Sequence, residues 1–455
     1  MDHAKTPDST LLHNVRMVNE GTLIHGWLLI EGQFIAALGP GEPDADVSAR
    51  AAVVVNGNGR LLLPGAIDEH VHFRDPGLTH KADMATESRA AVAGGFTSFI
   101  DMPNTVPMSV TRVAVEEKMA RAAEVSVANY GFFIGATNDN IAELLAADYS
   151  RIAGVKLFLG SSTGNMLVDS ESTISRLFRE VPALIAVHAE DEATVKRCRA
   201  EVISTYGDEP PIAAHPLIRS REACVKATRL AVETARATGA RLHVLHISTA
   251  SELEFFSPGP VEDKRITAET CPQYLIFSDE DYPRLGARIK CNPAIKSAAD
   301  RAALLQALAS GVIDVIATDH APHLLREKEG NALTAVSGMP MIQFSLPSML
   351  TLARRGVMTL PEVVEKMAHN PAKIFGIDRR GFLREGYYAD LTLVDDSCEP
   401  FEVTSDMVLS RCGWSPLEGG TLTAKVEQTW VNGTLVFSNG SLTGSAPALP
   451  LLFRR

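Results

Sequence analysis

The stretch AIDEHVHF at residues 66–73 is a short apolar run that ends in two histidines. It is followed by KADMATESRAAVAGG at residues 81–95, which has helical periodicity and ends in glycine, and then by a second apolar run, FTSFIDMP, at residues 96–103. A strand, a helix and a second strand in this order predict a βα unit of a parallel sheet.

The same rhythm continues over about 300 residues, which predicts an α/β fold with a (β/α)8 TIM barrel at residues 65–372. A doubly wound sheet is the competing topology, but no Gly-x-Gly-x-x-Gly motif follows the first strand. The six further strands are expected in ANYGFFIGA, GVKLFLGS, LIAVHAE, RLHVLHIS, RITAETCP and DVIATDHAP, which begin at residues 128, 154, 184, 241, 265 and 314.

Both ends of the chain are rich in β-forming residues. TLIHGWLLIEGQFIAALG at residues 22–39 alternates and turns at Glu31-Gly32, and Asn432-Gly433 lies between two β-rich runs near the other end. Asn-Gly between such runs is a strong hairpin signal. Because the two ends of a domain often lie close together, residues 1–64 and 373–455 are predicted to form one small β-sandwich domain.

The composition indicates a globular protein of the cytoplasm. The formal net charge of −12 makes nucleic acid and anionic membranes poor partners. No run of 18 apolar residues predicts a membrane span, and residues 1–12 lack the apolar centre of a signal peptide. The six cysteines form no Cys-x-x-Cys pair, so we expect reduced, mostly buried thiols.

Ionisable side chains recur at the ends of the predicted strands. His70 and His72 lie two apart on the first strand and therefore point to the same side. His188, His246 and Asp319 end the fifth, sixth and eighth strands. Since the carboxyl ends of barrel strands surround one site, we expect these five side chains to meet there. A lone histidine is usually structural, but four imidazoles and a carboxylate at one rim predict a metal site.

Lys156 lies inside the apolar fourth strand, where a charged lysine is costly. It could pair with a carboxylate or extend from the strand end towards water. Alternatively, its neutral amine could take up CO2, and the resulting carbamate could bridge two metal ions. His243 has the opposite strand parity to His246, so we expect it to face the helices.

Together these motifs resemble the amidohydrolase superfamily and, within it, the dihydroorotases of the longer bacterial type. The resemblance covers nearly the whole chain, from about residue 10 to 440. It is carried by DEHVHFRDPGLTHKAD and GGFTSFIDMPNTVP, and by GVKLFLGSSTGNMLV, HAED, HVLHIST, TAETCPQYL and ATDHAPH, with the first two beginning at residues 68 and 94.

The resemblance implies two Zn²⁺ ions in each subunit, although Co, Mn or Fe would suit the same ligands. One metal ion would be bound by four side chains, and carboxylated Lys156 would also bind the second with two histidines. The implied ligands are His70, His72, Lys156 and Asp319 for the more buried ion, and Lys156, His188 and His246 for the other.

The resemblance also implies a set of substrate-binding residues. Arg74, Asn104 and His323 correspond to residues that hold the substrate carboxylate, and Asn292 to one that contacts the ring. Residues 337–343, SGMPMIQ, correspond to a loop that covers the substrate. In that loop Met339 and Pro340 replace the Phe-Gly-like pair of many relatives.

The activity implied is the reversible cyclisation of carbamoyl aspartate to dihydroorotate in pyrimidine biosynthesis. A hydroxide bridging the two metal ions would attack the ring carbonyl, and Asp319 would act as general base and then as general acid. An allantoinase or hydantoinase on the same fold is the alternative, and an inactive scaffold homologue is a third. A homodimer is expected by resemblance, whereas association with a transcarbamoylase cannot be read from the sequence.

Overall fold

The computed structural model describes residues 9–160, 166–444 and 448–454. Its centre is a ring of eight parallel strands, the third of which is interrupted at Phe133. In chain order these barrel strands are Ala66–Val71, Phe96–Asp101, Asn129–Phe132 with Ile134–Gly135, Val155–Phe158, Ile185–His188, Leu242–Val244, Ile266–Thr270 and Val315–Ile316. Each of the eight predicted runs contains one of these strands.

The ring closes between its first and eighth strands. Val71 forms a parallel bridge with His320, and the backbone N–H of His72 donates to the carbonyl of His320 at 2.8 Å. All other neighbouring strands are also paired in parallel. The predicted barrel is therefore confirmed, and a doubly wound sheet, which has two open edges, is excluded.

Helices follow the strands and cover the outside of the barrel. The first shows why this sequence begins a helix at residue 84: Asp83 accepts from the backbone N–H of Thr86, and the Thr86 hydroxyl accepts from the backbone of Asp83 in return. The α-helices of the barrel region are Met84–Ala93, Arg112–Val125, Ile141–Leu145, Glu171–Glu180, Glu192–Tyr206, His215–Ile218, Arg221–Thr238, Pro272–Ile276, Tyr282–Leu285, Ala298–Ala309, Ile342–Arg354, Leu360–Val364 and Asn370–Phe375.

A second, nine-stranded sheet combines strands from both ends of the described chain, as expected for the small β domain. Ile35, on the strand at one edge of this sheet, and Trp430, on the third strand from the opposite edge, belong to one apolar core. Its strands are Ser9–Asn19, Thr22–Glu31, Phe34–Pro40, Val53–Asn56, Leu61–Pro64, Leu391–Asp395, Lys425–Val431, Thr434–Ser438 and Ser441–Leu442. The exact domain boundaries remain predictions, and residues 1–8, 445–447 and 455 lie outside the described part.

The hairpin predicted at Asn432-Gly433 is present between two antiparallel strands. Both residues have positive φ, 49° and 75°, as a type I′ turn requires. Elsewhere, all six cysteines are free thiols, and four of them are buried. Among the described residues, no helix combines the length and the apolar character that crossing a bilayer would demand.

Candidate active site and metal centre

The cavity at the carboxyl end of the barrel strands collects most of the proposed site residues. Several of them lie just beyond a strand in a left-handed backbone conformation, with φ of 65° at Arg74, 43° at His246 and 46° at Asp319. Such conformations are uncommon for residues other than glycine and cluster at functional sites. The cavity is lined by His70, His72, Arg74, Asn104, Lys156, Phe158, His188, His246, Asn292, Asp319, Ala321, Ser337 and Gly338.

Three proposed ligands converge at the first and eighth strands. Asp319 Oδ1 lies 3.3 Å from His70 Nε2 and 3.1 Å from His72 Nε2. A tetrahedral site with bonds of about 2.1 Å separates its ligand atoms by roughly 3.4 Å, so this spacing suits one metal ion.

A second pair of imidazoles lies beside the first cluster. His188 Nδ1 is 2.8 Å from His246 Nε2, and the His246 ring centroid is 5.3 Å from that of His70. The two groups of ligand atoms therefore share one cavity, as two neighbouring metal ions would require.

Three of the four histidines direct their other ring nitrogen towards a side-chain oxygen. His70 Nδ1 donates to Glu269 Oε1 at 2.9 Å and His72 Nδ1 donates to Asn104 Oδ1 at 2.8 Å. His188 Nε2 lies 3.1 Å from Glu190 Oε2. Metal-binding histidines typically show this arrangement, because it orients the ring and leaves the opposite nitrogen available.

Burial keeps the imidazoles of His70 and His246 in the form that binds metal. It lowers the pKa of both well below the usual value, and neighbouring histidines and Lys156 lower both further, although Asp319 raises the pKa of His70. Burial raises the pKa of Asp319, but His70 and His72 outweigh this effect and leave it below its ordinary value. At neutral pH the site therefore offers neutral imidazoles at His70 and His246 and an ionised carboxylate at Asp319.

Lys156 is 1% exposed, and its Nζ lies 4.7 Å from the centroid of the Phe158 ring. Within the described ranges, Nζ makes no hydrogen bond and has no carboxylate within 4 Å. Burial lowers the pKa of Lys156 to about 7, although Glu269 and Asp319 favour the charged form. A substantial fraction of this amine is therefore neutral at physiological pH. Residues 161–165 of the predicted GVKLFLGSSTGNMLV motif lie outside the described residues.

Arg74 occupies one side of the cavity and is 4% exposed. Its Nε donates to the carbonyl of Pro322 at 3.2 Å, and its Nη2 lies 3.0 Å from His323 Nε2. No carboxylate of the described chain lies within 4 Å of its guanidinium. Asn104 lines the same cavity, whereas His323 is not among the lining residues and contacts Arg74, which is.

The loop after residue 336 contributes differently from the expectation. Ser337 and Gly338 line the cavity, but neither Met339 nor Pro340 is among the lining residues. Met339 instead pairs with His320 beside the eighth strand, and its side chain is buried in the core. The loop turns at Gly338, which has a φ of 126°, so the next two residues run along the barrel rather than over the site.

Asn292 reaches the cavity from the loop after the seventh strand. With its amide oriented to satisfy both ends, its oxygen accepts from Arg219 Nη2 at 3.2 Å and its nitrogen donates to Ser337 Oγ at 3.1 Å. His215 Nε2 lies 3.0 Å from the carbonyl of Cys291, so this histidine supports the Asn292 loop. Asn292 therefore links that loop to the one that carries Ser337.

His243 does not face the helices, so that expectation is wrong. It is fully buried inside the barrel, where Nε2 contacts Glu69 Oε1 of the first strand at 3.0 Å and Nδ1 contacts Thr267 Oγ1 at 2.7 Å. Strand parity does not relate it to His246, because the sixth strand ends at Val244 and the backbone no longer alternates at residue 246.

Sequence reasoning missed the carboxylates that support the ligands. Glu269 contacts His70, and Glu190 contacts both His188 and, at 2.9 Å, Arg219 Nη1. Burial raises the pKa of Glu190, but Arg219 and His188 outweigh it and lower the value to about 2. Both glutamates stand at strand ends beside motif residues, and that position is the signal that could have identified them.

Comparison with known proteins agrees with this geometry. Residues 61–436 match the amidohydrolase family model. A dihydroorotase of Halobacterium salinarum is 36% identical over 94% of this chain and 98% of its own length, and an allantoinase of Bacillus velezensis is 33% identical over 94% of both. The structure of an L-hydantoinase from Arthrobacter aurescens superposes with a TM-score of 0.92 at 27% identity, over 98% of this chain and 99% of the other. On these matches, the chain belongs to the amidohydrolase family.

Proposed function

We propose that the chain is a dihydroorotase, which interconverts L-dihydroorotate and N-carbamoyl-L-aspartate by opening and closing a cyclic amide. The observation that carries this proposal is Arg74, a buried guanidinium in the cavity that contacts no carboxylate of the described chain. Dihydroorotate carries a ring carboxylate, and the planar donor fork of arginine matches such a group. Dihydroorotases are also among the most similar relatives.

The donor set supports a pair of divalent cations, which we propose to be zinc. His70, His72 and Asp319 would hold one ion, and His188 and His246 the other. Imidazole and carboxylate ligands suit Zn²⁺, and an oxygen partner for the second ring nitrogen strengthens the case. When bound, the metal ions would polarise the ring carbonyl and lower the pKa of a shared water molecule.

We further propose that Lys156 carries a carbamate. With Asp319 as the only carboxylate among their proposed ligands, two divalent ions would carry a large positive excess in a buried cavity, and a protonated Lys156 would add to it. Reaction of the neutral amine with CO2 releases a proton and creates an anion with two oxygens. The absence of a hydrogen bond or ion pair at Nζ, within the residues described, leaves the amine accessible for this reaction.

Asp319 would move the proton during the reaction. In hydrolysis, the oxygen of water bonds to the ring carbonyl carbon, the ring carbon–nitrogen bond breaks, and the proton lost by water reaches the leaving nitrogen. The carboxylate of Asp319 lies at the centre of the site and is ionised, so it can accept this proton and then release it. Ring closure uses the same steps in reverse.

Arg74 and the residues around it would orient the substrate. Asn104 uses Oδ1 to accept from His72, which leaves its amide N–H groups to donate to a ligand. Arg74 would hold the ring carboxylate beside Asn104 and His323, and Asn292 would contact the ring from the opposite loop. Fixing the ring in this way lowers the entropic part of the barrier.

The test is a dihydroorotate hydrolysis assay combined with measurement of bound metal, on the wild type and on Lys156→Ala. We expect turnover and two metal ions per chain in the wild type, and loss of both in the variant. Full metal content and activity in Lys156→Ala would contradict the carbamate. A wild-type protein that holds metal but does not convert dihydroorotate would contradict the proposed dihydroorotase activity.

An allantoinase is the second candidate, because allantoinases match this chain at 33% identity over more than nine tenths of its length. Allantoin has no carboxylate, so it would leave the positive charge of the buried Arg74 uncompensated. Assays of the same preparation on dihydroorotate, allantoin and hydantoin distinguish the candidates. The dihydroorotase proposal expects a kcat/KM for dihydroorotate at least about 100-fold above the others, since charged hydrogen bonds contribute roughly 1.5–3 kcal/mol each.

A further inference from the structure

The ring of His323 lies between two side chains that can only donate hydrogen bonds. Lys81 Nζ is 3.0 Å from His323 Nδ1, and Arg74 Nη2 is 3.0 Å from His323 Nε2. A neutral imidazole has one N–H and one lone pair, whereas lysine and arginine have no acceptor. Only one of these two contacts can therefore be a hydrogen bond, and the other brings two N–H groups together.

The surroundings keep the ring neutral and fixed in place. His323 is 2% exposed, and burial, Arg74 and Lys81 all lower its pKa below the usual value. A protonated ring would be repelled by both Lys81 and Arg74. The indole N–H of Trp414 donates to the His323 carbonyl at 2.7 Å, and a Cβ on Gly338 would lie 3.0 Å from Nε2, so the ring has little room to move.

The Lys81 side of the ring is the better supported hydrogen bond. Glu327 Oε1 accepts from Lys81 Nζ at 2.8 Å. Glu327 Oε2 lies 3.8 Å from His323 Nδ1, too far for a hydrogen bond, and accepts instead from the backbone N–H of Leu324 at 2.8 Å. This connection holds the ammonium group beside Nδ1. If Nδ1 accepts from Lys81, the single N–H of His323 is on Nε2, which lies beside Arg74 and Gly338, two residues that line the cavity.

We propose that Lys81 is a positioning residue that fixes His323 as the Nε2–H tautomer, so that His323 and Arg74 donate together to one anionic oxygen of the substrate. This inference rests on the proposed function for the identity of that substrate, a cyclic amide with a ring carboxylate. Two N–H donors whose nitrogen atoms are 3.0 Å apart repel each other until one acceptor receives a hydrogen bond from both. Lys81 therefore favours anionic over neutral cyclic amides without contacting either.

The direct test is neutron diffraction on deuterium-exchanged crystals of the wild type, with and without bound orotate as a planar carboxylate probe. We expect deuterium on Nε2 and none on Nδ1 in both crystals. Deuterium on Nδ1 in the wild type would overturn the proposal. This experiment needs no substitution and no turnover, so it decides the tautomer even if dihydroorotate proves not to be a substrate.

The kinetic test compares the wild type with Lys81→Met, which keeps the apolar stem and removes the donor. We expect KM for dihydroorotate to rise roughly 10-fold, as loss of one charged hydrogen bond implies, with kcat changed less than about threefold. KM for hydantoin, which has no carboxylate, should stay within about twofold. Lys81→Arg, which restores a donor, should recover most of the loss. An equal rise in KM for both substrates would overturn the proposal.

Lys373→Met is the matched control. Lys373 is also held by one carboxylate, with Nζ 2.7 Å from Glu262 Oε1. It lines a different cavity, together with Leu184, Leu242 and Thr267, and is not among the residues that line the cavity of the proposed metal ligands. The Lys373→Met variant should leave the KM for dihydroorotate and the KM for hydantoin unchanged. If dihydroorotate is not turned over by the wild type, the proposed function fails, and the neutron result still decides the role of Lys81.

Discussion

Two buried polar regions of this protein differ in how their charges are satisfied. The first, the junction cluster, joins the β domain to the barrel and consists of Asn129, Arg380, Asp390 and Asn432. Arg380 Nη1 donates to a carboxylate oxygen of Asp390 and to Asn432 Oδ1, and the backbone N–H of Asn432 donates to Asp390 Oδ1. Asn129 Nδ2 donates to the same carboxylate. Every charge in this cluster therefore has its partner within the chain.

The second region is the cavity that holds the proposed metal ligands, where two buried basic groups have no carboxylate partner in the described part of the chain. Arg74 and Lys156 are as buried as Arg380, yet among described residues neither has a carboxylate within 4 Å. Burying an unpaired charge costs several kcal/mol unless a partner compensates for it. We infer that a buried charge paired with a group of its own chain is structural, whereas a buried charge without such a partner indicates a ligand. Four substitutions test this distinction.

The largest effect is expected for Asp319→Asn in the cavity. It removes a proposed metal ligand that is also the proposed proton carrier, and a general acid–base contributes up to about 10⁴-fold in rate. We expect kcat/KM to fall at least about 10³-fold, with a small change in Tm relative to the metal-free wild type. Retention of more than about a tenth of the activity would show that another group transfers the proton.

The next effect is expected for Asp390→Ala in the junction cluster, which leaves the buried Arg380 without its carboxylate. Breaking a buried ion pair costs about 3–5 kcal/mol, so we expect that loss in the free energy of unfolding from denaturant titration. The activity per folded molecule should not change, because the cluster lies outside the cavity. The double variant Asp390→Ala with Arg380→Met should recover part of the loss.

A smaller effect is expected for Arg74→Met, which should weaken substrate binding but not the stability of the fold. KM for dihydroorotate should rise roughly 10–100-fold, since one or two charged hydrogen bonds are lost. The free energy of unfolding should stay the same or increase by about 1 kcal/mol, because an unpaired buried charge is removed. Arg380→Met is the matched control and should lower Tm without changing KM. Equal destabilisation by Arg74→Met and Arg380→Met would contradict the distinction between compensated and uncompensated buried charges.

The smallest effect is expected at a surface ion pair, Glu20 with Arg384. Arg384 lowers the pKa of Glu20 below 4.5, so the pair stabilises the folded state above that pH and loses its effect as the pH falls through the lowered value. Because the pair is exposed, Glu20→Gln should cost only about 0.5 kcal/mol at pH 7 and nothing at pH 2. A cost that persists at pH 2 or in 1 M salt would show that the contact is not electrostatic.

Much of the fold could be predicted because its signals are local. Each barrel strand is a short apolar run between helical segments, and each is present at the expected place in the chain. The hairpin at Asn432-Gly433 follows from the two residue types alone. The proposed metal ligands could be identified for the same reason, since His70, His72, His188, His246 and Asp319 all stand at strand ends.

The partners of those residues could not be predicted in this way. The contact between His70 and Glu269 joins residues 199 positions apart, and that between Lys81 and His323 joins residues 242 positions apart. The loop that begins at Ser337 was expected to cover the substrate through Met339, but only Ser337 and Gly338 line the cavity, because the turn at Gly338 depends on how the loop packs against His323. His243 was misplaced because strand parity ends where the strand ends.

By itself, the sequence determined the order of strands and helices, the closed barrel and the residue types available at its rim. These properties depend on backbone periodicity and on the chemistry of single side chains, which a linear chain already contains. Only the tertiary structure decided which buried charges are compensated, at the junction cluster, and which basic groups have no carboxylate partner among the described residues, at Arg74 and Lys156. Compensation depends on distances of about 3 Å between groups far apart in the chain, and those distances exist only after folding.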